Sequence, residues 1–214
     1  MTRSVLSLLA LGMFLPACGG SSYTYTGYRM HKQFPLDGER EWQYLNDAED
    51  VGNPMRVEKV ASPVMKGDTA VYTLEYYNEE TGDIARSIDW SSDSFSGVQI
   101  HAYTDFEAGG EEVILDPPLL FADDEMAPGD AVVTETGGYT FTSTLVVSEP
   151  CENHFVPDWD DCLKMTVDDG DGNGSEGSLV AGEYWLVPSY GVAWFRMTPD
   201  SENWRLWKHD WEPE

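Results

Sequence analysis

The sequence predicts an all-β, single-domain protein whose antiparallel strands form a meander, a sandwich or an open barrel. Apolar and polar residues alternate with a period of two in several segments, which is typical of half-buried strands. The strand candidates follow one another about every ten residues, and turn residues separate them. No segment between them has helical periodicity. The sequence therefore offers no helix that could connect two parallel strands.

Alternation is clearest in three segments. Their apolar residues share a predicted face in each case: Ala70, Tyr72, Leu74 and Tyr76; Tyr139, Phe141, Leu145 and Val147; Leu163, Met165 and Val167. Further strand candidates are 56–61, 84–90, 97–104, 112–115, 131–136, 182–187, 192–197 and 204–211. Residues 78–83 and 136–138 contain glycines suited to hairpin turns. Residues 116–130, with Pro117 and Pro118, stand apart from the strand pattern.

The composition indicates a folded and strongly acidic domain. Among 214 residues, 41% are hydrophobic and 13% are aromatic, which argues against disorder. Twelve basic and 39 acidic residues give a net charge of −27. Such a surface repels phosphate backbones, so nucleic acid is not expected as a partner.

The first twenty residues have the pattern of a secretory signal. Arg3 is followed by an apolar run at 5–15, which is shorter than the roughly 20 residues that a membrane-spanning helix needs. Leu15-Pro16-Ala17-Cys18 then resembles the lipobox of bacterial lipoproteins, although Pro16 stands where that family prefers Ala, Ser or Thr. The resemblance implies cleavage before Cys18 and fatty-acid attachment, palmitate among others, to its sulfur.

This resemblance divides the chain into a signal peptide (1–17), a lipidated tether (18–30) and a β-rich domain (31–214). Two or more acyl chains hold a protein stably on a bilayer. Gly19 follows the cysteine where an Asp tends to retain lipoproteins in the inner membrane. The expected location is therefore the bacterial outer membrane, facing either the periplasm or the medium.

The two remaining cysteines, Cys151 and Cys162, form an even pair in an oxidising compartment. A disulfide between them would close a short loop and stabilise the fold by roughly 3 kcal/mol. The alternative is a metal site formed by Cys151, His154 and Cys162, but zinc sites usually have more closely spaced cysteines. The disulfide is the favoured interpretation.

The acidic glycine-rich segment at 168–176 suggests a cation site. Asp169, Asp171 and Asn173 precede Gly174 at alternate positions, as in the first half of a calcium-binding loop. The second half differs, because Val180 stands where a bidentate Glu is expected. We expect either weak calcium binding or a plain hairpin loop, and no other cofactor.

Two short motifs resemble uncharacterised β-rich bacterial lipoproteins. These are Phe34-Pro35-Leu36-Asp37-Gly38 with Glu41-Trp42-Gln43-Tyr44 near the start, and residues 184–192 near the end. The resemblance implies an all-β fold and no activity. We interpret Trp42 and Tyr44 as core residues rather than as a ligand-stacking platform. Trp204, Trp207 and Trp211 are the candidates for exposed aromatics.

No sequence motif indicates catalysis. The histidines His31, His101, His154 and His209 lack metal-binding spacing and are expected at the surface or in loops. Acidic pairs such as Glu111–Glu112 and Asp123–Asp124 are expected on solvated faces. The sequence therefore predicts a non-enzymatic binding or structural module with a lipid anchor. A carrier that holds acyl chains in an open barrel is the alternative, and a hydrolase is less favoured.

Overall fold

The computed structural model describes residues 27–38, 40–46, 54–149, 162–170, 178–197 and 203–209. These residues form one helical turn, α1 (Met30–Gln33), and fifteen strands. The strands are β1 (Tyr28–Arg29), β2 (Glu41–Asn46), β3 (Met55–Lys59), β4 (Val64–Lys66), β5 (Thr69–Tyr77), β6 (Ile84–Asp93), β7 (Gly97–Asp105), β8 (Glu112–Ala122), β9 (Glu125–Met126), β10 (Ala131–Thr136), β11 (Tyr139–Glu149), β12 (Cys162–Asp168), β13 (Gly182–Val187), β14 (Gly191–Met197) and β15 (Trp204–His209). None of the helices found there is long and apolar enough to cross a membrane.

Twelve of the strands form one antiparallel sheet that is nearly closed into a barrel. The strand order is β10-β11-β12-β13-β14-β15-β2-β3-β5-β6-β7-β8, and the short strand β4 pairs with β5 beside this path. The last strand, β15, pairs with β2, so Leu206 lies opposite Tyr44. This pairing decides among the architectures that the sequence left open. The fold is a single-domain, barrel-like meander.

The remaining seam lies between β8 and β10. Here the strands approach without forming a ladder, and the Leu120 N–H donates to the Thr134 hydroxyl at 3.2 Å. Pro117 and Pro118 lie within β8 and lack the N–H groups that a ladder needs, which suits an edge strand. The expectation that 116–130 stands apart is therefore wrong for 116–122. That part continues β8, because an edge strand tolerates proline.

Large aromatic side chains fill the barrel interior. The ring centroids of Phe34 and Trp90 lie 4.5 Å apart, and Phe121 stands edge-on to both Trp90 and Tyr184 at 5.2 Å. A residual cavity lined by Phe34, Tyr184 and neighbouring core side chains measures only about 10 Å³, which is close to the size of one water molecule.

The interior tyrosines keep their hydroxyl groups satisfied. Tyr44 donates to the Val192 carbonyl at 2.8 Å, and Tyr184 donates to the Val180 carbonyl at 2.7 Å. Burial raises the pKa of both phenols, so they remain neutral donors. These bonds explain how polar rings are accommodated among apolar ones.

The predicted alternation is confirmed where it was clearest. Phe141, Leu145, Met165, Leu74 and Tyr76 are all buried in the interior cluster. Thr142 and Thr144 lie on the outer face, as a period of two requires, whereas Ser143 shares the buried face of Phe141 and Leu145. A register shift between Leu145 and Val147 interrupts β11, and the exposed side chain of Val146 lies at that point.

The two ends of the barrel differ. We call the end crossed by residues 28–38 the strap end; it also carries the β4–β5 turn, the β6–β7 turn and the β13–β14 turn. The opposite end, which we call the far end, carries residues 78–83 and 106–111 and the segments that follow β10 and β12. Residues 28–30, which the sequence assigned to the tether, pair and pack with the barrel.

Gly97 begins β7 at a position that only glycine fits. Its φ is +71°, and a Cβ there would overlap the carbonyl oxygen of Ala122. Gly82 has a nearly identical φ of +73°, but an added Cβ would meet nothing within 4 Å.

These two glycines provide a matched test of the β7–β8 packing. We expect Gly82→Ala to lower the free energy of unfolding by about 1 kcal/mol, the backbone cost alone. Gly97→Ala should lower it by at least about 3 kcal/mol, because β8 must also move. Urea unfolding followed by tryptophan fluorescence measures both. Equal losses in the two variants would contradict the packing described here.

Candidate functional site

The strap, residues 28–38, closes one end of the barrel. Its β1 part pairs with β9, and the buried side chains of Met30, Phe34 and Leu36 enter the core. The Ser189 N–H donates to the Lys32 carbonyl at 3.2 Å, which joins the strap to the β13–β14 turn. The local sequence explains this path, since apolar residues at alternate positions after Phe34 point inward beside Pro35.

Asp124 holds the strap in place. Its carboxylate accepts a hydrogen bond from the Arg29 guanidinium at 3.0 Å and another from the His31 N–H at 3.2 Å. The His31 Nδ1 atom contacts the same carboxylate, and the Asp124 carbonyl accepts from the Met30 N–H at 2.8 Å. One acidic residue thus binds three consecutive strap residues.

Burial alone would raise the pKa of Asp124. Hydrogen bonds from His31 and Arg29 outweigh it and hold the pKa below its usual value. The expectation of a solvated Asp123–Asp124 pair is therefore wrong for Asp124, whose residue is only 4% exposed. His31 is also not a simple surface residue, because Asp124 binds its ring.

Between the strap and the neighbouring turns lies an open pocket of about 1040 Å³, which we call the end pocket. It combines hydroxyl groups, carboxylates, basic groups and two aromatic rings. The lining residues are His31, Lys32, Pro35, Leu36, Asp37, Gly38, Arg40, Asp68, Thr69, Ala70, Tyr72, Ser92, Asp93, Phe95, Ser96 and Ser189. Its size is at the upper end of typical ligand sites.

Two of the pocket carboxylates accept hydrogen bonds from neighbouring residues of the same chain. Asp93 accepts hydrogen bonds from the N–H groups of Phe95 at 2.7 Å and Ser96 at 2.8 Å, and from the Ser96 hydroxyl. Although partial burial acts in the opposite direction, these bonds and nearby His31 lower the pKa of Asp93. Asp37 accepts from the Arg40 guanidinium at 3.0 Å. Asp68, in the β4–β5 turn, is an exposed carboxylate of the lining.

Most residues of the predicted lipidation and disulfide sites lie outside the residues that the structure describes. Cys18 and Cys151 are outside the described residues. Cys162 begins β12 and is completely buried. The proposed Cys151–Cys162 pairing stays a prediction.

The predicted calcium loop is only partly described. Asp171 and Asn173 lie outside the described residues. At the far end, the Asp169 carboxylate accepts a hydrogen bond from the Ser178 N–H at 2.7 Å. Within the described ranges, no three His, Cys, Asp or Glu side chains are grouped to hold a metal. Calcium binding therefore stays a prediction.

Two further expectations were wrong. His101 is buried rather than exposed, its Nε2 lies 2.8 Å from the Ser91 hydroxyl, and burial lowers its pKa. Trp204 packs into the core and is not exposed to solvent, because β15 closes the barrel against β2.

Trp42 and Tyr44 are core residues, as the sequence predicted. His154 and Trp211 lie outside the described residues.

Sequence reasoning missed the contact between His31 and Asp124, which are 93 positions apart. One signal was available. Asp124 alternates with the apolar residues Ala122 and Met126, and this pattern places its side chain on their buried face.

No family model matches the chain, no curated protein is similar to it, and no solved structure matches its fold. The function is therefore inferred from the end pocket and from the sequence motifs.

The Asp124 contacts predict a specific pH dependence. Because the folded-state pKa is below the unfolded value of about 3.9, Asp124 stabilises the fold above that pH, and the contribution is lost as the pH falls through the folded-state pKa. Asp124→Asn should lower the free energy of unfolding at pH 7 by about 3 kcal/mol and flatten its fall under acid. Urea unfolding between neutral pH and pH 2 measures both effects.

Asp123→Asn is the matched control, since Asp123 is exposed next to Asp124. It should change the free energy of unfolding by less than about 0.5 kcal/mol. An Asp124→Asn protein as stable and as acid-sensitive as the wild type would show that Asp124 does not hold the strap.

Proposed function

We propose that this protein is a lipid-anchored, non-enzymatic binding module of the bacterial outer membrane, whose ligand site is the end pocket. The observation that carries the binding role is the contrast between two cavities. The interior cavity beside Tyr44, Tyr76 and Tyr184 holds only about 10 Å³, whereas the end pocket offers about 1040 Å³ and is lined by many polar groups.

The anchoring part of the proposal rests on the lipobox-like segment Leu15-Pro16-Ala17-Cys18. Acylation of Cys18 would tie an otherwise acidic domain to the membrane. The residue after it, Gly19, favours the outer membrane over the inner one by the family pattern described above.

The filled interior argues against the acyl-chain carrier. A carrier must enclose an apolar volume of several hundred cubic ångströms, and ligand pockets generally start near 300 Å³. The aromatic rings of Phe34, Trp90, Phe121 and Tyr184 occupy that space here.

Two acidic residues at the strap end are not suited to act as general acids. The lowered pKa of Asp93 and of Asp124 keeps both ionised at neutral pH, where a general acid needs a proton to donate. Their carboxylate oxygens also accept hydrogen bonds from the turn and the strap. Asp93 therefore shapes the lining of the pocket, and Asp124 fixes the strap beside it.

The lining favours a polar ligand that carries many hydroxyl groups. Carboxylates such as Asp68 accept hydrogen bonds, and the hydroxyls of Thr69 and Ser189 both donate and accept. Phe95 and Tyr72 add ring faces for apolar parts of a ligand. An oligosaccharide of two or three residues has this mixed chemistry and a matching size.

The anchor is tested by metabolic labelling with palmitate. Label should enter the wild type and the control Ser22→Ala, but not Cys18→Ser, because Cys18 supplies the only proposed acceptor sulfur. Equal labelling of all three proteins would refute acylation at Cys18.

The ligand site is tested on an oligosaccharide array with the fluorescently labelled protein. Asp68→Ala/Phe95→Ala should weaken saccharide binding about tenfold or more, because it removes a hydrogen-bond acceptor and a ring from the pocket. The matched control Asp83→Ala/Phe106→Ala removes the same two side chains at the far end and should bind like the wild type. Absence of saccharide binding, or equal effects of the two pairs, would refute the site.

A further inference from the structure

We propose that the ligand of the end pocket is a zwitterionic saccharide, whose carboxylate binds Lys32 and whose protonated amino group binds Asp68. This assignment rests on the proposed saccharide site and adds to it the two charges that the ligand carries.

Most charged groups of the pocket lining already have partners in the chain. The Arg40 guanidinium donates to the Asp37 carboxylate at 3.0 Å, so these two charges offset one another. The His31 ring contacts Asp124. The two carboxylate oxygens of Asp93 accept three hydrogen bonds from its own turn, and a carboxylate accepts only about four in all. These groups hold the lining together and have little capacity left for a ligand.

Lys32 and Asp68 are the two charged groups of the lining that differ from this pattern. Both residues are exposed, and within the described residues neither side chain forms an ion pair or a hydrogen bond. They belong to different walls of the pocket, because Lys32 lies in the strap and Asp68 in the β4–β5 turn. A ligand that spans the pocket therefore meets a positive group on one wall and a negative group on the other.

The backbone that carries Lys32 is held in place. The Ser189 N–H donates to the Lys32 carbonyl at 3.2 Å, and the Ser92 hydroxyl donates to the His31 carbonyl at 3.3 Å. Ser189 itself has a φ of +67°, in the left-handed region that favours glycine, and such strained residues are common at ligand sites. Its hydroxyl also lines the pocket and is a second donor for a carboxylate. A fixed backbone lowers the entropy that binding costs.

The net charge of the protein favours a ligand that carries both signs. At −27, the chain repels a ligand of net negative charge at long range. A ligand with only a positive charge would bring that charge into the same pocket as the Lys32 ammonium. A zwitterion has no net charge and avoids both penalties, and hydrogen bonds between charged groups are stronger than those between neutral ones. Opposite charges at its two ends also fix the direction in which it lies.

Calorimetry with three derivatives of one disaccharide tests this assignment on the full chain. The zwitterion is glucosamine linked to glucuronate; its N-acetyl form lacks the positive charge, and its methyl ester lacks the negative one. Titrations are run near pH 6.5, where a sugar amine is protonated and a uronate is ionised. The variants are Lys32→Met and Asp68→Asn, both at exposed positions where the fold tolerates substitution. The controls Lys66→Met and Asp83→Asn remove the same charges at exposed positions outside the pocket lining.

The wild type and both controls should bind the zwitterion about fivefold or more tightly than either derivative. Lys32→Met should lose this factor toward the zwitterion but not toward the methyl ester. Asp68→Asn should lose it toward the zwitterion but not toward the N-acetyl form. Equal affinity for the three sugars, or a loss in either variant that extends to all three, overturns the charge assignment and leaves the saccharide site standing. If no saccharide binds here or on the array, the proposed site fails, and the assignment fails with it.

Discussion

The width of a twelve-stranded barrel is the constraint on which the rest of this structure depends. Eight strands enclose an interior that ordinary side chains fill, and each added strand widens it. Here the additional space is filled by aromatic rings and by the strap, whose residues Met30, Phe34 and Leu36 enter from one end. Asp124 contacts Arg29, Met30 and His31 and so holds the strap in place. The core is filled only while these contacts keep the strap side chains inside the barrel.

The same constraint explains where a ligand site can exist. Within the described residues, the interior cavity is about the size of one water molecule, and a pocket large enough for a ligand lies at the rim beside the strap. The end pocket lies there, between residues 31–40 and the turns before β5 and β7. Its carboxylates are partly committed to local hydrogen bonds, which keeps the rim rigid while hydroxyl groups such as those of Thr69 and Ser189 line the opening.

Local order was predictable from the sequence, and long-range order was not. The alternation in β5, β11 and β12 depends on a period of two within one segment, so it identified buried residues such as Phe141 and Met165. Closure depends on β15 meeting β2, whose residues lie about 160 positions apart, and no local pattern encodes that pairing. Trp204 was misjudged for this reason.

The end pocket could not be predicted from the sequence for a related reason, since its walls come from four separate parts of the chain. The alternation of Asp124 with Ala122 and Met126 indicates burial, but its three partners come together only in the fold. Composition predicted the strong negative charge, but only the fold shows which of the carboxylates is buried against the strap.

The entry of the chain through β1 also has a mechanical consequence. Any tension on the segment ahead of Tyr28 passes first into the two residue pairs of the β1–β9 ladder and then into the contacts of Asp124. A pull on that segment would therefore be borne by a small group of bonds rather than by the twelve-stranded wall. If those bonds yielded, Met30 and Phe34 would be withdrawn, and the aromatic core would be exposed to water from the strap end.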